Sequence, residues 1–155
     1  MSDILQAIYR GNRDEAEQLA GGRALDVFEA AALGRTDRVR ELLADDPSLA
    51  NAFGDDGFQP LGLACFFGHP ETARALLDAG AEVNSASRND FKVMPLHSAC
   101  AVKDPGERYE LARLLLERGS DPNARQQDEF TPLMAADQVG DTRLRELLVE
   151  HGATA

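Results

Sequence analysis

Apolar residues recur at helical spacing in two short runs of the segment 56–84. The first run starts at Pro60, where a helix tolerates a residue without an amide hydrogen, and stops at Gly68. The second starts at Pro70 and stops at Gly80. The predicted inner faces carry Leu61, Ala64 and Cys65 in the first helix, and Ala73, Leu76 and Leu77 in the second. Helices this short are marginal in isolation, so a neighbouring unit must cover their apolar faces.

The same pattern returns along the chain at a nearly constant interval. The pair Pro60-Leu61 is repeated at Pro95-Leu96 and again at Pro132-Leu133, after 35 and 37 residues. The exit of the second helix returns too, with paired leucines, a glycine and an asparagine at Leu76, Leu77, Gly80 and Asn84 and at Leu115, Leu116, Gly119 and Asn123. A period of roughly 20 to 50 residues is typical of stacked repeat proteins. The pattern therefore predicts a helical solenoid.

The unit of one turn and two helices resembles the ankyrin repeat. That family's pattern, roughly D-x-x-G-x-T-P-L-H-x-A-A-x-x-G-H-x-x-V-V-x-x-L-L-x-x-G-A-D-V-N, is matched in register by Gly57, Pro60, Leu61, Ala64, Gly68, His69, Leu76, Leu77, Gly80, Ala81, Val83 and Asn84. The resemblance covers essentially the whole chain and implies an all-α solenoid of stacked helix-turn-helix units joined by β-turn fingers. It also implies a non-catalytic module that binds a partner protein on its concave face.

The spacing divides a single domain, residues 1–155, into an opening cap and four repeats. The opening segment, residues 1–22, has two helical stripes but no turn-Pro-Leu element, so we expect it to be a truncated capping repeat. The full repeats are predicted at residues 23–54, 55–88, 89–125 and 126–155. In the last of them, Asp137 and Gln138 replace apolar or neutral residues, and we expect this polar face to end the solenoid.

The repeat at 89–125 is the most irregular. From Asn84 to Pro95 there are 11 residues where the preceding repeat has 9, which predicts a finger longer by two. Four further residues are added between its helices, around Lys103–Glu107, and we expect them to form a loop. Such a loop is either a binding element or neutral drift in a tolerant surface segment.

The turns of the fingers differ in one residue. Gly57 supplies a backbone angle that other residues resist, whereas Lys92 and Glu129 stand near the same place in the next two fingers. The sequence therefore predicts that these two turns differ in shape from the first.

Acidic residues outnumber basic ones 27 to 16, which gives a formal net charge of −11. Nucleic acid binding rests on Lys and Arg that displace counterions from phosphates, so this balance disfavours nucleic acid and anionic membrane as partners. The chain starts without a basic region or a long apolar run, and we expect a cytoplasmic monomer. Cys65 and Cys100 take the same position in their repeats and are predicted to be reduced core residues.

No arrangement of residues in the sequence predicts catalysis, a metal site or a cofactor. We find no nucleophile with a matching base, no ligands at metal-binding spacing and no phosphate-binding glycine loop. His69, His97 and His151 stand at or beside ordinary repeat positions, where capping or bracing is the expected role. If the chain hid an enzyme, His97 and residues 103–107 would be its site.

The first candidate binding site is the adjacent pair Phe66 and Phe67, just before the glycine that ends a first helix. Neighbouring residues lie about 100° apart around a helix axis, so both rings cannot point inward. One ring is expected to stay partly exposed, as many binding hot spots are. The alternative is that both pack against the neighbouring turn and helix. The same position in other units holds Tyr9-Arg10, Ala32-Leu33 and Gln138-Val139.

The finger tips form the second candidate binding surface. The predicted residues are the acids Asp55, Asp56, Asp90 and Asp128, the base Lys92, and the rings of Phe58, Phe91 and Phe130. An acidic edge with apolar anchors predicts a partner protein with a basic, partly apolar surface. The alternative is that acidic tips only keep a solenoid soluble.

Two other functions stay open. The chain could be a dedicated regulatory or inhibitory subunit of a single enzyme, or it could bind a small molecule. Ankyrin repeats are shared by proteins with unrelated roles, so the resemblance fixes the mode of action and little else.

Overall fold

The computed structural model describes residues 1–154, and that range contains ten α-helices and no β-strand. The helices are α1 (Asp3–Tyr9), α2 (Arg13–Ala20), α3 (Val27–Leu33), α4 (Thr36–Asp45), α5 (Pro60–Phe66), α6 (Pro70–Asp78), α7 (Pro95–Cys100), α8 (Pro105–Glu117), α9 (Pro132–Val139) and α10 (Thr142–Glu150). Short 3-10 turns lie at Pro47–Asn51 and Gln127–Glu129. The predicted all-α fold is confirmed. None of these helices combines the length and apolar character needed to cross a bilayer.

The helices stack in two rows. The first helices of successive units, α3, α5, α7 and α9, contact one another in order, and so do the second helices, α4, α6, α8 and α10. Small residues such as Ala64 and Ala99 fill the first row with no exposed surface, which lets these helices approach closely. Cys65 and Cys100 are buried free thiols beside them. Burial raises the pKa of Cys100 to about 12, so it serves as an apolar core residue.

Local capping signals fix where the helices begin. Ser2, Thr131 and Asp141 each accept a hydrogen bond from the backbone N–H three residues further on. Asp26 and Glu29 form a capping box at the start of α3. Proline stands in the first turn of five helices, at Pro60, Pro70, Pro95, Pro105 and Pro132. Because these signals are local, the sequence predicts most helix starts.

Three asparagines, Asn51, Asn84 and Asn123, tie each unit to the next and form what we call the asparagine ladder. Asn84 donates from Nδ2 to the Gly119 carbonyl oxygen at 3.0 Å and accepts at Oδ1 from the Asp121 N–H at 2.8 Å. The other two asparagines make the same pair of bonds, Asn51 to Gly80 and Glu82, and Asn123 to Gly152 and Thr154. The ladder therefore satisfies exit-loop backbone groups that helix ends leave unpaired.

The inserted residues around Lys103–Glu107 are not a loop, contrary to the prediction. Helix α8 has 13 residues, whereas the second helices of the other units have 8 to 10. The insertion thus adds a helical turn at the start of α8. Asp104 caps this turn, accepting from the Glu107 N–H at 2.9 Å, and Pro105 opens it.

The added turn carries Arg108, whose guanidinium is buried. It donates to the carbonyl oxygens of Val102 and Lys103, and to the carboxylate of Asp141 at 2.8 Å. Asp141 caps α10, so this side chain joins the end of α7 to the start of α10. The insertion therefore acts inside the scaffold.

Three finger loops project between the units: finger 1 (54–58), finger 2 (87–93) and finger 3 (126–130). Each is closed by a hydrogen bond from the N–H of its first residue to the carbonyl oxygen of its last, with N···O distances of 2.9, 2.9 and 3.1 Å. Finger 2 encloses two more residues than the others, which confirms the predicted longer finger.

The fingers share the same turn chemistry, and the prediction of different turn shapes is wrong at this residue. Gly57, Lys92 and Glu129 all adopt the left-handed conformation, with φ of 84°, 49° and 62°. Finger 3 adds a second left-handed residue, Asp128. Gly57 is constrained further, because a Cβ there would lie 2.7 Å from the carbonyl oxygen of Arg88 in the next finger. Close stacking of fingers 1 and 2 therefore requires glycine.

Candidate functional site

A groove of about 600 Å³ lies between the fingers and the first helices. We call it the aromatic groove because five rings line it: Tyr9, Phe58, Phe66, Phe91 and Phe130. All of these except Tyr9 are predicted binding residues. The structure therefore brings the rings of all three fingers together with the exposed end of α5.

Phe66 and Phe67 occupy different environments, as adjacent helix positions require. Phe66 ends α5 and is 49% exposed, whereas Phe67 is half-buried and packs against the core. Their rings meet edge to face, with centroids 4.9 Å apart. The Tyr9 ring lies 5.5 Å from Phe67 and 6.3 Å from Phe66. The exposed ring thus rests on two packed ones, which hold it in place.

Asp56, a predicted binding acid, has both carboxylate oxygens engaged within the protein. Oδ2 accepts from the Tyr9 hydroxyl at 2.8 Å, and Oδ1 accepts from the Phe58 N–H at 3.0 Å. Burial and the bond with Asp56 both raise the pKa of Tyr9, which stays protonated and donates this hydrogen bond. Asp56 therefore braces finger 1 against α1.

The other predicted charges lie on the rim of the fingers. Asp55 is exposed and lies 3.3 Å from the N-terminal amino group. Asp90, Lys92 and Asp128 are exposed on fingers 2 and 3, and Arg88 is exposed beside them. The rim is therefore of mixed charge, with two of its acids on longer or left-handed tips.

Two polar side chains of α7 lie under the apolar wall of the groove. His97 and Ser98 both line it and are 4% and 3% exposed. His97 Nε2 lies 3.0 Å from the Ala124 carbonyl oxygen, which can only accept, so Nε2 donates. Burial lowers the pKa of His97, although the carbonyls of Ala124 and Phe130 act in the opposite direction. Within residues 1–154, His97 Nδ1 and Ser98 Oγ have no hydrogen-bond partner.

Sequence reasoning missed this polar pair and the role of Tyr9. Met94 stands where the repeat pattern has threonine, and that replacement is the signal that His97 lacks its usual local partner. The contact between Tyr9 and Asp56 joins residues 47 positions apart, and no local pattern announces it.

Other residues assigned to this surface are not accessible. Ala32 and Leu33 are 0% and 2% exposed, so this pair belongs to the core. The ring of His69 braces two units through its Nε2, 2.9 Å from the Ala32 carbonyl oxygen. Gly34 permits this contact, because a Cβ there would lie 2.6 Å from the ring. Across residues 1–154, no group of three His, Cys, Asp or Glu side chains is placed to hold a metal ion.

Comparison with known proteins gives a consistent family. The sequence matches ankyrin repeats (3 copies) over residues 4–87 and 27–126. Human ankyrin repeat and SOCS box protein 16 is 32% identical over 91% of this chain and 39% of its own length. Putative ankyrin repeat protein YahD of Escherichia coli (strain K12) is also 32% identical, over 74% of this chain and 57% of its own length.

A third relative covers less of the chain. The ankyrin repeat, SAM and basic leucine zipper domain-containing protein 1 of Ornithorhynchus anatinus is 38% identical over 61% of this chain and 20% of its own length. The chain thus spans less than two thirds of each of these three relatives. Ankyrin repeats are in general protein–protein interaction modules. The match to this family extends over most of the sequence and agrees with the helical stack described above, and the chain belongs to the ankyrin-repeat family.

Proposed function

We propose that the protein binds a partner protein through the aromatic groove and catalyses no reaction itself. The observation that carries this proposal is the gathering of exposed apolar side chains around one groove. Phe66, Phe91 and Val139 are 49%, 61% and 45% exposed, and all three line it. Large apolar clusters of this kind on a soluble protein mark interaction sites.

The groove is prepared for binding before a partner arrives. Phe66 is held by its edge-to-face contact with Phe67, and finger 2 is held by the hydrogen bond from the Arg88 N–H to the Gly57 carbonyl oxygen at 2.8 Å. A preformed surface loses less conformational entropy on binding. Covering apolar area contributes about 25 cal/mol per Å², so the exposed rings would supply most of the binding free energy.

The rim charges support a partner that carries basic residues beside its apolar segment. Asp90 and Asp128 are exposed at the tips of fingers 2 and 3, and the chain has a net charge of −11. Asp56 does not contribute to this attraction, because Tyr9 and the finger backbone occupy its oxygens. Reversal of charge at Asp90 and Asp128 should slow association at low salt. Unchanged association rates would remove the electrostatic part of the proposal.

The test is an affinity capture with matched surface variants. The wild type, a Phe66→Ala, Phe91→Ala variant and a Met134→Ala, Val149→Ala control are immobilised after circular dichroism has shown equal helicity. Met134 and Val149 are 50% and 47% exposed but do not line the groove. We expect one or more proteins from a lysate of the source organism to be retained by the wild type and the control and lost by the groove variant. Equal retention by all three would place binding elsewhere.

The captured proteins also separate a dedicated subunit from a general module. A regulatory or inhibitory subunit of one enzyme would give a stable one-to-one complex on gel filtration. A general interaction module would give several weaker partners.

A small apolar ligand is the second candidate, and the size of the groove favours it. Pockets for small molecules typically enclose about 300 to 1,000 Å³, and this groove falls within that range at about 600 Å³. A metabolite screen by thermal shift tests this candidate. We expect a true ligand to raise the melting temperature of the wild type and to leave that of the Phe66→Ala, Phe91→Ala variant unchanged.

A further inference from the structure

The floor of the aromatic groove contains a polar pair that the protein does not satisfy. His97 Nδ1 and Ser98 Oγ have no hydrogen-bond partner among residues 1–154, and both side chains are more than nine-tenths buried. A buried polar atom without a partner has lost its hydrogen bonds to water and gained none in return, which is costly. Neighbouring residues of α7 carry both atoms, beneath an otherwise apolar wall. The groove is therefore incomplete in one specific respect.

The hydrogen-bonding character of the pair follows from the contacts of His97. Its Nε2 donates to the Ala124 carbonyl oxygen, so in the neutral ring Nδ1 has only a lone pair to offer. The Ser98 hydroxyl can donate one hydrogen and accept another. A complementary group must therefore donate to Nδ1 and can accept from Oγ at the same time.

We propose that the aromatic groove is selective for a tyrosine side chain of the partner protein, with its hydroxyl paired to His97 Nδ1 and Ser98 Oγ. This inference rests on the proposed function and names the anchor that the groove would take. The phenol ring suits walls built from Phe58, Phe91 and Phe130, while its O–H is both donor and acceptor.

Other side chains meet only part of this requirement. Phenylalanine, leucine and methionine would fill the groove but leave the pair unsatisfied. The indole of tryptophan donates but does not accept, and a lysine would bring an ammonium ion under an apolar wall. Serine and threonine have the hydroxyl but lack the apolar body that the aromatic walls would cover.

The experiment compares the side-chain analogues of tyrosine and phenylalanine, which differ by one hydroxyl. p-Cresol and toluene are titrated into the ¹⁵N-labelled protein, and dissociation constants are taken from the amide shifts of residues around the groove. Without the polar pair, toluene is the tighter ligand, because it costs less to remove from water. With the pair engaged, we expect p-cresol to bind about tenfold tighter than toluene.

Two serine variants make the test specific. Ser98→Ala removes one member of the pair, and we expect the preference for p-cresol to fall to about threefold or less. Ser120→Ala removes another buried hydroxyl without a partner that lies outside the groove, and it should keep the wild-type preference. Both substitutions replace an unsatisfied hydroxyl in a buried place with a methyl group, so both variants should fold.

The outcomes separate this inference from the proposed function. Equal binding of both probes, or tighter binding of toluene, at the groove would overturn the tyrosine inference and leave the groove as a general apolar site. Binding of neither probe would overturn both. N-acetyl-tyrosinamide and N-acetyl-phenylalaninamide form the last arm. If p-cresol is preferred but the amides bind equally, the site takes small phenols and the inference of a partner's tyrosine is wrong.

Discussion

The asparagine ladder and the aromatic groove are built from the same repeats, yet they treat polar groups in opposite ways. In the ladder, each of Asn51, Asn84 and Asn123 both donates and accepts a hydrogen bond across a unit boundary. In the groove, His97 Nδ1 and Ser98 Oγ have no partner in the described chain, and Phe66 and Phe91 are exposed. The ladder stabilises the stack by itself, whereas the groove has features that only a second molecule would satisfy.

The buried ion pair of the added helical turn should show the largest effect on stability. Arg108→Ala leaves the Asp141 carboxylate and two carbonyl oxygens without their donor, which we expect to cost about 3 kcal/mol of unfolding free energy. Arg113→Ala on the same helix is the control, since its side chain is 52% exposed and pairs with an exposed Glu117. That change should cost less than about 0.5 kcal/mol. Urea denaturation of both variants checks the comparison, and equal losses would show that the insertion does not join α7 to α10.

The ladder should show the next largest effect. Asn84→Ala removes two hydrogen bonds between units, and we expect a loss of about 2 kcal/mol, since each is worth roughly 1 kcal/mol. Glu82→Ala on the same exit loop is the control, because the Glu82 side chain is exposed and its backbone bond to Asn51 is kept. A loss for Asn84→Ala no greater than that of the control would mean that water replaces the ladder without cost.

The two braced histidines make stability depend on pH. Burial lowers the pKa values of His69 and His97 from 6.5, so the unfolded chain takes up protons at a higher pH than the folded chain does. Their contribution to stability is therefore complete above pH 6.5 and declines as the pH falls toward the folded pKa values. We expect the urea midpoint to decrease between pH 7 and pH 5. Histidine ring-proton titrations by NMR provide the independent check, and midpoints at or above 6.5 would contradict this account.

The groove should show the smallest effect on stability. Phe66→Ala combined with Phe91→Ala removes rings that are largely exposed, so we expect less than about 1 kcal/mol of lost unfolding free energy. The same variant is expected to lose its partner in the capture experiment. A large loss of stability would instead show that the two rings belong to the scaffold, and the contrast between ladder and groove would disappear.

The scaffold could be predicted from sequence because its signals are local and repeated. Proline at the first turn, glycine at helix ends and asparagine at the exits each impose one backbone requirement, and they recur in register. The error at residues 103–107 also has a local origin. Pro105-Gly106 is typical of a turn, but Asp104-Pro105 is equally a cap followed by a first helical residue. The structure takes the second option because Arg108, one turn further on, reaches Asp141.

The groove could be predicted only in outline. Phe58, Phe66, Phe91 and Phe130 were identifiable because each stands at a finger or at the end of a first helix. Their convergence, the bond between Tyr9 and Asp56, and the exposure of Phe66 in place of Phe67 depend on how distant units pack. Sequence position alone does not show that an aspartate at a finger tip faces inward.

The asparagine ladder has a consequence for how such a chain can change its length. Each asparagine bonds to the glycine and the backbone amide of the following unit, so every internal boundary uses the same two groups. Duplication or deletion of one whole unit would join an asparagine to an equivalent glycine and preserve these bonds. A cut within a unit would move the glycine out of reach. Gene duplication and protein engineering can therefore lengthen or shorten this array in whole units, while the residues that face a partner diversify independently.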